Sequence, residues 1–122
     1  DLKPDPLSKN NPYHPINIDA YKKVPLEKIP DTESLKDTYE RVIEYYNLEI
    51  KSKLLDNKNI LISAHGNSIR ALCKFLFKLD NNKISSLEIP TGNPLLIKLN
   101  SNQKIIECRY LDVSRAKDLL VF

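Results

Sequence analysis

An unbroken apolar run that halts at a histidine and a glycine, with an amphipathic helix starting at once, most narrows what this chain can fold into. Asn59 to Ala64 reads N-I-L-I-S-A, and Ile60, Leu61 and Ile62 have no polar residue between them. That pattern suits a strand buried on both faces of a parallel sheet better than a half-wet antiparallel one. After it, Ile69, Leu72, Cys73, Leu76 and Phe77 recur at the spacing of one helical face, while Arg70, Lys74 and Lys78 occupy another. The segment His65-Gly66-Asn67-Ser68 is therefore expected at the carboxyl end of a central strand and the amino end of a helix. Open α/β sheets bind their ligands there.

The chemistry follows from that position. The first turn of a helix has unpaired N–H groups and a partial positive charge, which attract phosphate or carboxylate. Gly66 has no Cβ to keep a ligand from the backbone or to resist an unusual backbone angle. Asn67 and Ser68 are good capping residues that also reach a ligand oxygen. His65 can donate a hydrogen bond or a proton to a phosphoryl oxygen. By spacing alone a plainer reading stays open: His65 ends a strand, Gly66 makes a tight turn and Asn67 caps the helix.

The run from Ile60 to Leu72 resembles the second catalytic block of the cofactor-dependent phosphoglycerate mutases, a family within the histidine phosphatase superfamily. Three more blocks agree in the same order: Thr32-Glu33-Ser34-Leu35 opening a helix that continues through Arg41-Val42, Leu87 to Leu95, and Arg109-Tyr110-Leu111. The resemblance covers nearly the whole chain, most firmly Pro30 to Leu111. It implies the C-terminal half of a three-layer αβα fold with a mixed, mostly parallel sheet. It also implies a reaction interconverting 2-phosphoglycerate and 3-phosphoglycerate, primed by 2,3-bisphosphoglycerate and needing no metal. His65 would be catalytic, stabilising charge on the transferring phosphoryl oxygens. The Gly66 and Asn67 amides, joined or not by the Asn67 side chain, would bind the same group. Ser68 and Arg70 stand behind these as capping or supporting residues.

The family carries its phosphorylated histidine in an Arg-His-Gly motif on the first strand of its N-terminal half. Neither histidine here fits that motif, since His14 sits in Pro12-Tyr13-His14-Pro15 and His65 belongs to the second block. The resemblance thus implies half of an enzyme, inactive alone, whose partners are phosphoglycerate, its own N-terminal half and, when complete, further copies of itself. A phosphatase or bisphosphoglycerate synthase of the same superfamily is the nearer alternative. A non-catalytic binding module and one half of a split or domain-swapped assembly are the others. A chain that opens at Asp1 and contains no Met is expected to be a cut or processed piece. Alone, it should leave Ile60 to Ala64 with an uncovered edge and tend to aggregate.

Composition agrees with a cytoplasmic enzyme. The net charge of +3 comes from scattered lysines and not from a basic block, which argues against nucleic acid and suits anionic sugar phosphates. No apolar stretch approaches the length of a membrane span, and no secretory signal is present. Cys73 and Cys108 lack metal-ligand spacing and read as small core hydrophobes.

Three regions of one domain are expected. Residues 1–30 hold six of the eight prolines and read as an extended loop that orders on contact. Residues 31–111 form the α/β core. It starts with a helix from about Thr32 to Leu55, capped by Asp31 or Thr32, with Leu35, Tyr39, Val42, Ile43, Tyr46 and Ile50 inward. Asp80-Asn81-Asn82 breaks and recaps the chain, and Ile84, Leu87 and Ile89 share a short helical segment. The Pro90 to Pro94 loop is stiff: a wall of the site, a subunit contact or a shaped connection between helix and strand. Leu95–Leu99 and Lys104–Leu111 are strands whose short polar link allows only an antiparallel hairpin. Residues 112–122 form a tail whose apolar end, Leu119 to Phe122, departs from the lysine-rich tails of the family.

Overall fold

The computed structural model describes residues 2–116, so the apolar end at Leu119–Phe122 lies outside the described residues. The chain divides into two compact units, Asp1–Thr38 and Tyr39–Phe122.

The proline-rich segment of the first unit turns repeatedly instead of running straight. It winds through three single-turn 3-10 helices, Pro15–Asn17, Asp19–Tyr21 and Leu26–Lys28. The unit's buried residues are polar: His14, Ser34 and Thr38. Side chains knit it to its own backbone. Asn17 Nδ2 donates to the Lys9 and Asn11 carbonyls at 2.8 Å each, and Thr32 Oγ1 donates to the Pro4 carbonyl at 2.7 Å. Pro15, at the start of its turn, gives up an N–H that would have had no partner there.

Helix α1 (Leu35–Tyr45) opens from a capping box, and neither Asp31 nor Thr32 supplies it. Ser34 Oγ accepts the Asp37 N–H at 3.1 Å, while the Asp37 carboxylate accepts the Ser34 N–H and hydroxyl at 2.8 Å each. These bonds, the Ser34 N–H foremost, then the Ser34 hydroxyl and Lys3, hold the Asp37 carboxyl down at about 2. The reciprocal pair outcompetes the upstream residues because it satisfies two orphan groups at once.

In the second unit the same helical run continues through a π-helical turn (Tyr46–Ile50) into α2 (Lys51–Leu55). The extra residue in that turn rotates the apolar stripe. Tyr46 is buried and meets Phe75 edge-on, with ring centroids 5.5 Å apart. Val42, Ile43 and Ile50 are only half-buried.

Helix α3 (Gly66–Phe77) stops at Lys78, whose left-handed φ of 52° lets the Leu79 N–H return to the Lys74 carbonyl at 3.0 Å. As its sequence suggests, Asp80 restarts the chain. Its Oδ1 accepts the Lys83 N–H at 2.8 Å and caps α4 (Asn81–Ser86). Of the three apolar residues expected on one helical segment, only Ile84 is helical; Leu87 closes α4 and Ile89 lies beyond it. Cys73, Leu79, Ile84 and Leu87 nevertheless form the core, with Ile69, Phe77, Ile89 and Leu95 packed on it. Burying a side chain such as Leu87 contributes about 1.5–3 kcal/mol. Burial pushes the Cys73 thiol up to about 12 and the Cys108 thiol to about 11, so both behave as the inert hydrophobes expected.

Strands β1 (Leu95–Leu99) and β2 (Ile105–Tyr110) form the expected antiparallel hairpin, with Leu95 opposite Tyr110 and a bulge beside Leu99. It is the only sheet among the described residues. The expected central strand, Asn59 to Ala64, is not paired into a sheet among the described residues. Its backbone makes no ladder with any described residue, and Leu61 is 91 % exposed. A strand exists by its neighbours' hydrogen bonds, so an apolar run beside which no described residue forms a ladder counts as an unpaired segment. The result is an α/β fold whose sheet, among the described residues, is a two-stranded antiparallel one.

Candidate active site

The unpaired segment delivers His65 to the start of α3. His65 is the N-cap, with extended φ and ψ of −63° and 148°, and its carbonyl accepts the Ile69 N–H at 3.1 Å. Its imidazole is exposed and makes no capping bond. Asn67 and Ser68 therefore do not cap the helix; they lie within its first turn. That placement leaves the N–H groups of Gly66, Asn67 and Ser68 without an acceptor among the described residues. Three parallel amides at the positive end of a helix beside a free imidazole form a donor set suited to phosphoryl oxygens.

Gly66 is helical, so it is not a glycine for the sake of its backbone angle. A Cβ built on it would meet nothing within 4 Å. The protein's own described atoms leave that space open, beside the three amides. Gly92, by contrast, turns the Pro90 to Pro94 loop with a φ of 71°.

Arg70, one turn into α3, supports the same end of the helix. Its Nη2 donates to the Ile84 carbonyl at 2.6 Å, and its Nη1 lies 3.4 Å from Asn67 Oδ1. Its Nε is buried without a partner among the described residues. The Pro90 to Pro94 loop is held from behind. Asn93, buried, donates from Nδ2 to the Asp112 carbonyl at 2.8 Å and accepts the Asp112 N–H at 2.9 Å. The Tyr110 hydroxyl donates to the Glu88 carbonyl at 3.0 Å, and Arg115 Nη2 to that of Thr91 at 2.8 Å. These long-range grips leave no periodic signal, so sequence reasoning gave Arg70 only a supporting place and missed Asn93. An asparagine between proline-bracketed turn residues was the one available hint.

The second histidine is spent within the first unit. His14 is fully buried; its Nδ1 accepts the Ile16 N–H at 3.3 Å, and its Nε2 lies 3.2 Å from Asp31 Oδ1. It caps a turn and has no open face. Among the described residues no cluster of three His, Cys, Asp or Glu side chains could hold a metal ion.

Within the second unit, a groove of about 580 Å³ runs along the unpaired segment. Val42, Tyr46 and Ile50 line one side and Ile69 and Leu72 another, with Ile60 to Ala64 between. Ser68, which carries one of the three open amides, lines it as well.

Residues 8–111 match the sequence pattern of the histidine phosphatase superfamily (branch 1). A 2,3-bisphosphoglycerate-dependent phosphoglycerate mutase of Pelagibacter ubique (strain HTCC1062) is 73 % identical over 122 residues, all of this chain and 51 % of that protein. Proteins of the same name are 44 % identical in Maricaulis maris (strain MCS10) over 98 % of this chain, and 45 % identical in Xylella fastidiosa (strain M12) over 91 %. These two matches cover 49 % and 45 % of those proteins. The chain spans about half the length of the curated relatives it matches.

Proposed function

The chain belongs to the histidine phosphatase superfamily, and on that premise we propose that it is the C-terminal half of a phosphoglycerate mutase. The complete enzyme interconverts 2-phosphoglycerate and 3-phosphoglycerate in the cytoplasm. It is primed by 2,3-bisphosphoglycerate, as the names of its relatives suggest. A histidine of the N-terminal half carries the phosphoryl group. Residues 1–30, 31–111 and 112–122 are the loop region, core and tail of one domain's second half.

The observation that carries this reading is the donor set at the start of α3: an exposed imidazole beside three amides that find no acceptor among the described residues. Phosphoryl transfer asks the protein mainly to position groups and to aim donors at the equatorial oxygens. His65 stabilises charge on those oxygens as the group moves, and the Gly66 and Asn67 amides hold it. The groove and the unpaired Ile60 to Ala64 edge support the other half of the proposal. A strand of the N-terminal half adds there, giving the mixed, mostly parallel sheet of a three-layer αβα fold. The complete protein associates into homo-oligomers.

The test is His65→Ala in the complete protein. Turnover should fall by about 10²–10³-fold, the cost of removing one transition-state donor. The melting temperature should barely move, because the imidazole is exposed and caps nothing. Turnover within a few-fold of the unchanged enzyme would remove His65 from the mechanism. Following inorganic phosphate release in the same assay separates a mutase from a phosphatase.

A further inference from the structure

We propose that Arg70 is a positioning residue that fixes which end of the Asn67 amide faces the transferred phosphoryl group. This rests on the reading of the α3 start as the phosphoryl site. Arginine has donors and no acceptor, so only the amide oxygen of Asn67 can face Arg70 Nη1, at 3.4 Å. The NH2 of Asn67 is then turned away from Arg70, and the helix start presents donors alone. A free Asn67 would flip, and half of its orientations would set a carbonyl oxygen against an anion. The long contact orients Asn67 because its other end is anchored. Arg70 Nη2 holds the Ile84 carbonyl at 2.6 Å, which fixes the guanidinium between α3 and the end of α4. One planar fork spans both acceptors, whereas a lysine ammonium on a flexible stem does not fix two partners in that geometry.

A double-mutant cycle in the complete enzyme tests this with Arg70→Lys, Asn67→Ala and their combination, each checked for folding by its thermal melt. Arg70→Lys should lower kcat/KM by about tenfold where Asn67 is present, and by less than about twofold where Asn67→Ala has already removed the amide. A role confined to docking α4 would lower activity by the same factor in both backgrounds, and that result would overturn the proposal. Should Asn67→Ala leave kcat/KM unchanged, the Asn67 side chain has no part in the site and the proposal falls, whereas the phosphoryl-site reading fails separately, on an undiminished turnover of His65→Ala. If Arg70→Lys does not fold, Arg70→Gln, which keeps one NH2 donor, takes its place in the same cycle with the same expected asymmetry.

Discussion

Replacing Gly66 with alanine separates folding from ligand binding at one carbon atom. Gly66 is helical, its φ is not positive, and a Cβ there meets nothing within 4 Å. By the protein's own contacts the substitution is free of strain. It removes backbone freedom from the unfolded chain, a gain of about 0.4–1 kcal/mol at a compatible position. For a domain of 150–250 residues that corresponds to a rise in melting temperature of roughly 1–4 °C. The new methyl group, however, occupies the space beside the three open amides. A phosphoryl group displaced by about 1 Å from its productive position loses about 10²-fold in rate. The complete enzyme carrying Gly66→Ala should therefore melt slightly higher and turn over about a hundredfold more slowly. Differential scanning calorimetry and a coupled turnover assay on one preparation read both quantities. Undiminished turnover would show that the open space does not serve the ligand. A fall in turnover with a matching fall in melting temperature would show that the glycine serves the fold.

Leu61→Lys should change little in the isolated chain, where the residue is 91 % exposed. It should cost at least about 2 kcal/mol in the complete protein if the N-terminal half covers that face of the sheet, measured as the difference in chemical denaturation midpoints. Equal effects in the two would refute burial of Leu61 by the N-terminal half. The Asp37 carboxyl, held at about 2 against an ordinary 3.8, stabilises the start of α1 fully above the ordinary value and loses that contribution as pH falls through about 2. A carbon NMR titration should give its midpoint near 2, and a midpoint near 3.8 would contradict the capping box. Asn93→Ala should cost about 2–3 kcal/mol, because it strands both backbone groups of Asp112 near the end of β2. Urea denaturation checks this, and a loss under 0.5 kcal/mol, within the range of ordinary surface substitutions, would mean that solvent replaces the asparagine.

Local chemistry made much of the site legible. His65, Gly66 and Asn67 were readable because an apolar run, a glycine and a helical stripe follow one another without interruption. The hairpin was readable because four polar residues between two apolar runs leave no room for a crossover. The cap of α1 was misplaced by two to three residues. Thr32 and Asp31 have the right side chains, yet only Ser34 has a partner three residues on that can answer its own N–H. The roles of Asn67 and Ser68 shifted for a similar reason. Once His65 takes the cap position by its extended backbone, both fall inside the first turn and their amides stay open.

By itself the sequence determined everything governed by neighbours a few residues apart: helical stripes, caps, the hairpin link, and the glycine beside the imidazole. Side-chain period and turn chemistry act over that range and need no distant partner. Tertiary structure alone decided that Ile60 to Ala64 finds no ladder partner among the described residues, that Arg70 reaches the Ile84 carbonyl, and that Asn93 grips Asp112. A strand is defined by the chain beside it, and a buried polar side chain by whichever backbone group arrives within reach. Those facts come into being only when residues far apart in the chain are brought together.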